Sequence, residues 1–332
     1  MRKLLLGFAL ALVLAVAFYV YTRPSAGSRE FAYAGGHHVT VWSASAQVRE
    51  QIGTLNYGDH LEVLQRFQDL VKIKAPDGMT GWIQERDLMS TDVWQTVKDL
   101  ETKAQGMPVE AVGHTRVLSN LHIGPGRDTP RIRQLGKDVP IDLHARQAAD
   151  IPVVTTANTD NEAGVAPADI RKEDWWLVSA KTADEGAQSG WLLGRFIDLD
   201  VPAPLPDYAS SAGMRIVAWF ELNHVTDASG SQKPQFMLVG THGPEGQPCD
   251  FTLLRVYTWA VKHDRYETAF IESDLCGKLP IQITKGSGPG ADAVFSFQEL
   301  TGSGSAERKY RLIQTVVRRV SDGEEPPRRH KR

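Results

Sequence analysis

Two segments of the chain repeat one spacing of apolar residues, and this repeat limits the fold more than any other feature. Each segment also closes on a Gly-Trp pair, Gly81-Trp82 in the first and Gly190-Trp191 in the second. Short apolar runs separated by turn sequences such as Tyr57-Gly58-Asp59 indicate half-buried strands. The repeat therefore predicts that one small β unit occurs twice. The matched positions are Ile52, Leu55, Leu61 and Val63 in the first segment and Ile132, Leu135, Ile141 and Leu143 in the second.

The second segment contains Asn120-Leu121-His122-Ile123-Gly124-Pro125-Gly126, followed by residues 132–143 and by Gly190-Trp191-Leu192. This combination resembles the bacterial SH3 domain family. It implies a small β-barrel whose first strand and loop come from the opening stretch and whose Gly-Trp precedes a final short strand. The first segment keeps the body and the Gly-Trp, but has Val41-Trp42-Ser43-Ala44-Ser45 in place of the opening.

A helix is predicted between the two segments, at about 92–105. Ser90-Thr91-Asp92 provides a start signal, and Gly106 and Pro108 provide stop signals. Trp94, Val97 and Leu100 share one face, which we expect to pack on a barrel. Binding of a partner by this face is the alternative.

The second segment also carries an insertion between Leu143 and Trp175. It includes the polar stretch 155–164, which offers little to a core. We expect a long surface loop here, and such loops are either functional or mobile.

The last third of the chain reads as β structure after the proline-rich stretch Val201-Pro202-Ala203-Pro204-Leu205-Pro206. It resembles no family that we recognise. The pattern predicts an antiparallel sandwich or a single curved sheet. The candidate strands are 214–222, 235–241, 251–262, 266–272, 293–299 and 310–320.

The predicted fold class is all-β: an N-terminal transmembrane helix, two SH3-like small β-barrels joined by a helix, and an antiparallel β-rich C-terminal domain. The predicted domains are 1–35 (membrane anchor or signal peptide and short linker), 36–90 (SH3-like domain 1), 91–107 (linker helix), 113–201 (SH3-like domain 2 with its inserted loop), 202–207 (proline-rich linker), 208–321 (β-rich domain) and 322–332 (basic flexible tail).

The N-terminus predicts export. Arg2 and Lys3 precede an uncharged apolar run at residues 4–21, which is just long enough to span a membrane. The positive-inside rule places the bulk of the chain in the periplasm, anchored in the inner membrane by one pass. Cleavage near Ala32-Tyr33-Ala34, giving a periplasmic or secreted protein, is the alternative. Export would allow Cys249 and Cys276 to form a disulfide, and two free buried cysteines are the alternative.

Charge and motifs exclude several classes of function. The net charge of -3 disfavours nucleic acid as the main partner. The sequence has no His-Glu-x-x-His, no paired-cysteine zinc pattern, no phosphate loop and no Gly-x-Ser-x-Gly. Neither cysteine stands in the setting of a wall-peptidase nucleophile. We therefore predict no catalytic residue, no metal site and no cofactor, and the chain is expected not to be an enzyme.

Trp175 and Trp176 are the predicted ligand-binding residues. Neighbours on a strand face opposite sides, so one of the two should be exposed and available for contact unless the insertion covers it. Trp82 and Trp191, each beside a tight glycine, are expected in the barrel cores.

The sequence as a whole predicts a non-enzymatic envelope binding or scaffolding protein. The resemblance implies the ligand, which is peptidoglycan peptide or an envelope protein. The alternative is a structural subunit that makes only protein-protein contacts within an envelope complex.

Overall fold

A computed structural model describes residues 29–151, 171–182, 189–287, 291–302 and 304–320. The chain divides into two compact units, Met1–Trp94 and Gln95–Arg332. The described residues are mostly β, and the four sheets are antiparallel. This confirms the predicted class at that level.

The first unit contains a seven-stranded sheet. Its strands are β1 Glu30–Ala34, β2 Val39–Trp42, β3 Gln51–Leu55, β4 His60–Phe67, β5 Leu70–Lys74, β6 Thr80–Gln84 and β7 Leu88–Ser90, in the order β3-β2-β6-β5-β4-β1-β7. Alternate side chains face a core, as where Val39 and Val41 of β2 are buried. Because β1 pairs with both β4 and β7, this sheet begins at Glu30, ahead of the predicted start of SH3-like domain 1 at residue 36.

The second unit opens with another seven-stranded sheet. Its strands are β8 Ala111–Thr115, β9 Ser119–His122, β10 Arg131–Leu135, β11 Pro140–Asp150, β12 Lys172–Ala180, β13 Ser189–Leu193 and β14 Ile197–Leu199, in the order β10-β9-β13-β12-β11-β8-β14. When each strand is counted from the start of its own sheet, the two orders are the same. The shared order accounts for the repeated spacing in the sequence.

The two Gly-Trp pairs lie at equivalent close approaches between strands. A Cβ atom on Gly81 would lie 2.8 Å from the carbonyl oxygen of Trp42, and one on Gly190 would lie 3.1 Å from that of His122. The following tryptophans, Trp82 and Trp191, are buried as predicted. Glycine is therefore required where β6 and β13 meet β2 and β9.

The insertion in the second sheet is partly strand, which differs from the predicted loop. β11 continues to Asp150 and pairs with β12 down to the Asp150–Lys172 match. Both strands of the β11–β12 hairpin therefore continue into the insertion. The polar stretch 155–164 lies outside the described residues.

Helix α1 spans Thr91–Gln105, which confirms the predicted helix. The hydroxyl of Ser90 accepts a hydrogen bond from the Val93 N–H at 3.3 Å and caps its first turn. Within the first unit, the Trp94 ring stacks on Tyr33 with 4.7 Å between ring centroids. Gly58 makes room for this ring, because a Cβ there would lie 2.7 Å from it.

In the rest of the second unit, the residues that the structure describes form one short helix and two four-stranded sheets. The elements are α2 Leu205–Ser211, β15 Arg215–Thr226, β16 Gln232–Thr241, β17 Leu253–Ala260, β18 Arg265–Glu272, β19 Gly277–Lys285, β20 Ala293–Thr301, β21 Gly304–Ile313 and β22 Val316–Arg319. The described residues of this region form eight strands where the sequence predicted six. The predicted proline-rich linker at 202–207 overlaps α2, which buries Leu205 and Ala209 in the core of the β15–β18 sheet.

Neither of the helices in the described part of the chain is long and apolar enough to cross a membrane. The predicted anchor at 4–21 and the basic tail at 322–332 both lie outside those residues.

Candidate ligand-binding cleft

A cleft of about 640 Å³ opens in the second unit, between the β8–β14 sheet and the segment that carries α2 and β15. This volume lies in the range of ligand pockets in proteins. Its apolar surface includes Trp176, Ile197, Met214 and Ile216. Its charged lining residues are Arg116, Asp174, Arg195, Asp198, Arg215 and Glu245.

Strand β12 places Asp174 and Trp176 on the cleft side, because alternate residues of a strand share a face. Trp175 points the other way and meets the His122 ring edge-on, with centroids 5.2 Å apart. Gly194 lies close to β12, since a Cβ there would lie 3.0 Å from the carbonyl oxygen of Asp174.

The expectation that Trp175 or Trp176 is exposed is wrong. Their exposed fractions are 2% and 7%, because both faces of β12 are covered. Trp176 nevertheless lines the cleft, so ligand contact by Trp176 stays a prediction. Trp175 is a core residue, and only Trp176 is placed to meet a ligand.

The buried carboxylate of Glu173 holds two arginines. It accepts hydrogen bonds from Arg127 Nε at 2.9 Å and Arg127 Nη2 at 2.8 Å, and from Arg195 Nη2 at 2.8 Å. Burying a carboxylate without such hydrogen-bond partners would be costly. Arg195 is thereby fixed at the edge of the cleft.

Asp174 is buried beside it and has a separate set of donors. Arg146 Nη2 donates at 2.5 Å and the Gly246 N–H at 2.7 Å, both to Oδ1, while Arg215 Nη1 donates to Oδ2 at 3.3 Å. Asp174 therefore connects β12 to β15 and to the loop between β16 and β17.

That loop is locked against β11 by Arg146. The buried guanidinium donates to the carbonyl oxygens of Gln247 and Cys249, at 3.0 and 3.1 Å, and to Asp250 Oδ1 at 3.0 Å. Gly246 has a φ of +81°, and a Cβ there would lie 2.4 Å from the side chain of Lys172. Only glycine fits this turn, which sets the wall of the cleft.

A disulfide anchors the far end of the same loop. Cys249 is bonded to Cys276, with 4.7 Å between the Cα atoms, and so closes the β17–β18 hairpin at its base. The pairing is the predicted one. Cys249 belongs to the loop that Arg146 holds. The disulfide and Arg146 therefore both fix the loop that forms the cleft wall.

Two further groups modify the electrostatics around this region. Arg116 donates to Asp198 from Nε at 2.8 Å, and this bond holds the pKa of the carboxyl below its ordinary value. Burial raises the pKa of Glu110 to about 7, against a weaker opposing hydrogen bond from the Ile281 N–H at 3.1 Å, and nearby Asp250 raises it further.

No group of three or more His, Cys, Asp or Glu side chains that could hold a metal ion occurs among the described residues. Two carboxylates of the C-terminal sheets do come together, because Arg308 donates to both Glu272 and Glu299. The arginine between them makes this a structural ion-pair cluster.

Sequence reasoning missed the arginines of the cleft, Arg116, Arg195 and Arg215. One signal was present: Glu173-Asp174 stands inside a strand-like run directly before two tryptophans. Carboxylates in such a run are buried only with cationic partners, so their presence implies arginine or lysine nearby. The Glu173-Asp174 pair does not show where in the chain these arginines lie.

No family model matches the sequence, and no curated protein matches it. Among solved structures, NlpC2 from Trichomonas vaginalis is similar with a TM-score of 0.18 and 8% identity, over 75% of this chain and 99% of that one. NlpC1 from Trichomonas vaginalis gives a TM-score of 0.18 and 10% identity, over 86% of this chain and 89% of that one. Likenesses of this size carry no argument about fold or activity.

Proposed function

We propose that the chain is a non-enzymatic binding or scaffolding protein of the bacterial cell envelope. It presents tandem SH3-like domains outside the inner membrane, held there by residues 4–21, and binds peptidoglycan peptide without a cofactor. The cleft beside Trp176 carries this proposal, because it combines an apolar surface with guanidinium groups at ligand-sized volume.

Two further features support the compartment. The apolar run at 4–21 follows two basic residues, as in an exported, anchored chain. The Cys249–Cys276 disulfide suits an oxidising environment such as the periplasm.

Co-sedimentation with sacculi from a Gram-negative cell tests the proposal, with the full chain kept in mild detergent. We expect saturable binding that Trp176→Ala weakens. Trp259→Ala is the matched control, since Trp259 is a partly buried tryptophan of the same unit outside the cleft lining. Sedimentation no greater than that of albumin would overturn wall binding.

A structural subunit of an envelope complex is the second candidate. It is favoured by the apolar side chains of Phe31, Leu64 and Phe67 in the first sheet, which are 40–47% exposed. If this is the function, Leu64→Ser with Phe67→Ser abolishes assembly with the envelope partner while sacculus binding is absent in the unaltered chain.

A further inference from the structure

We propose that the cleft selects a peptide with free carboxylate groups, bound by Arg195 and Arg215. This deepens the proposed function and rests on it for the location of the ligand site. Each of the two guanidiniums has one fully or almost fully buried carboxylate partner behind it, Glu173 or Asp174, so that its other end faces the ligand.

The asymmetry of exposure carries the inference. The side chains of Arg195 and Arg215 are 42% and 43% exposed, whereas those of their partners Glu173 and Asp174 are 0% and 2% exposed. A ligand entering the cleft therefore meets the positive member of these two pairs. Arg195 Nη2 also lies 3.7 Å from Oε2 of Glu245, a lining carboxylate whose side chain is 35% exposed. The negative charges of the buried carboxylates are already compensated by hydrogen-bond donors on the protein.

Each arginine also keeps donors for a ligand. A guanidinium has five N–H groups. Within the described residues, the hydrogen bonds to carboxylates take one nitrogen of Arg195, to Glu173, and one of Arg215, to Asp174. The remaining N–H edges can form the two-point contact that a carboxylate accepts.

The apolar lining of the cleft favours a peptide over an inorganic anion as the ligand. Trp176, Ile197, Met214 and Ile216 line the same cleft as the arginines. Inorganic phosphate would leave this surface unused, whereas short aliphatic side chains of a peptide would cover it. A peptide carboxylate uses both parts of the site.

Replacing either arginine leaves its buried carboxylate partner with at least one other hydrogen-bond donor. Glu173 retains Arg127 when Arg195 is replaced, and Asp174 retains Arg146 and the Gly246 N–H when Arg215 is replaced. Arg195→Gln and Arg215→Gln are therefore expected to fold. Arg265→Gln is the matched control, because it removes one exposed arginine–carboxylate pair, to Glu267, outside the cleft lining.

Isothermal titration of the full chain in detergent tests the inference. The probes are acetyl-Ala-Glu-Ala with two free carboxylates, its neutral analogue acetyl-Ala-Gln-Ala-amide, and inorganic phosphate. We expect the acidic peptide to bind at least about tenfold more tightly than the neutral one, and the Arg195→Gln, Arg215→Gln double variant to lose that preference. The control variant should keep it, and thermal melting should show all variants folded.

Equal affinity for the two peptides, or an unchanged preference in the double variant, would overturn the inference, as would binding of phosphate with no binding of peptide. Acidic-peptide binding without sacculus binding would overturn the envelope function alone. Sacculus binding that is indifferent to amidation of wall carboxylates would overturn this inference alone. Arg195→Lys and Arg215→Lys provide a second check, because they keep the charge but lose the two-point contact and should give intermediate affinity.

Discussion

Arg146 and Asp174 form a buried ion pair, in which Nη2 of the arginine donates to Oδ1 of the carboxylate at 2.5 Å. The same arginine also pairs with the buried Asp250. One guanidinium on β11 thus pairs with two acids, one on β12 and one on the loop that forms the cleft wall, alongside Arg215 at Asp174 and Lys278 at Asp250. Arg146 therefore joins β11, β12 and this loop.

Replacing Arg146 should therefore be costly. Arg146→Ala leaves two buried carboxylates short of a partner, and we expect a loss of about 3–5 kcal/mol in the free energy of unfolding. Urea denaturation followed by circular dichroism measures this. Arg265→Ala, which breaks an exposed pair, should cost less than about 1 kcal/mol. Equal losses for the two variants would contradict the assigned role of Arg146.

Glu110 should make stability depend on pH. Its pKa is raised from 4.5 to about 7, chiefly by burial, so the folded chain holds the proton more tightly than the unfolded chain does. Stability is then full below pH 4.5 and falls as pH rises toward about 7, by no more than about 3 kcal/mol. Of the described residues, none gives Oε1 of Glu110 a hydrogen bond that would offset this cost.

Glu110→Gln keeps the side chain neutral at every pH. We expect this variant to lose the decline between pH 5 and pH 8 and to be more stable than the unaltered chain at pH 8. Urea titrations at the two pH values measure it, with the exposed Glu307→Gln as control. An unchanged pH dependence in Glu110→Gln would show that another group is responsible.

The disulfide should stabilise the second unit and the cleft together. Its removal in the Cys249→Ser, Cys276→Ser double variant opens a loop with a sequence separation of 27, and we expect a loss of about 3 kcal/mol. Because the Cys249 carbonyl is held by Arg146, ligand affinity should fall as well. Thermal melting and peptide titration measure the two effects. Treatment of the unaltered chain with a dithiol reductant should reproduce both, and a stable cleft after reduction would refute the coupling.

The elements that the sequence predicted are those with strong local signals. The repeated apolar spacing led to two similar sheets, and the cap at Ser90 with Gly106 behind it led to helix α1. Both signals depend on residues that are close along the chain. The β1 strand at Glu30–Ala34 was missed because it is only five residues long and becomes a strand by pairing with β4 and β7.

The cleft could not be predicted for the same reason. Arg146, Arg195 and Arg215 are separated by tens of residues from one another and meet around Glu173 and Asp174 only in the folded chain. Helix α2 was hidden by the proline-rich composition of its surroundings, although Leu205 and Ala209 fix it to a core. Trp176 is buried although it lines the cleft, and Trp175 is buried against His122, so the expected exposure of a tryptophan at 175 or 176 is wrong.

Trp175 and Trp176 should separate stability from binding. Trp175 packs against His122 away from the cleft, so Trp175→Ala should cost about 3–5 kcal/mol in stability through the cavity that it leaves. Trp176→Phe keeps an aromatic ring in the cleft lining but reduces its area. It should weaken sacculus binding and lower the free energy of unfolding by less than about 2 kcal/mol. Melting and co-sedimentation of the two variants, with Trp175→Phe as the matched change on the core side, measure both quantities. If binding fell in parallel with stability in all of them, Trp176 would be a structural residue and the cleft would need a different ligand contact.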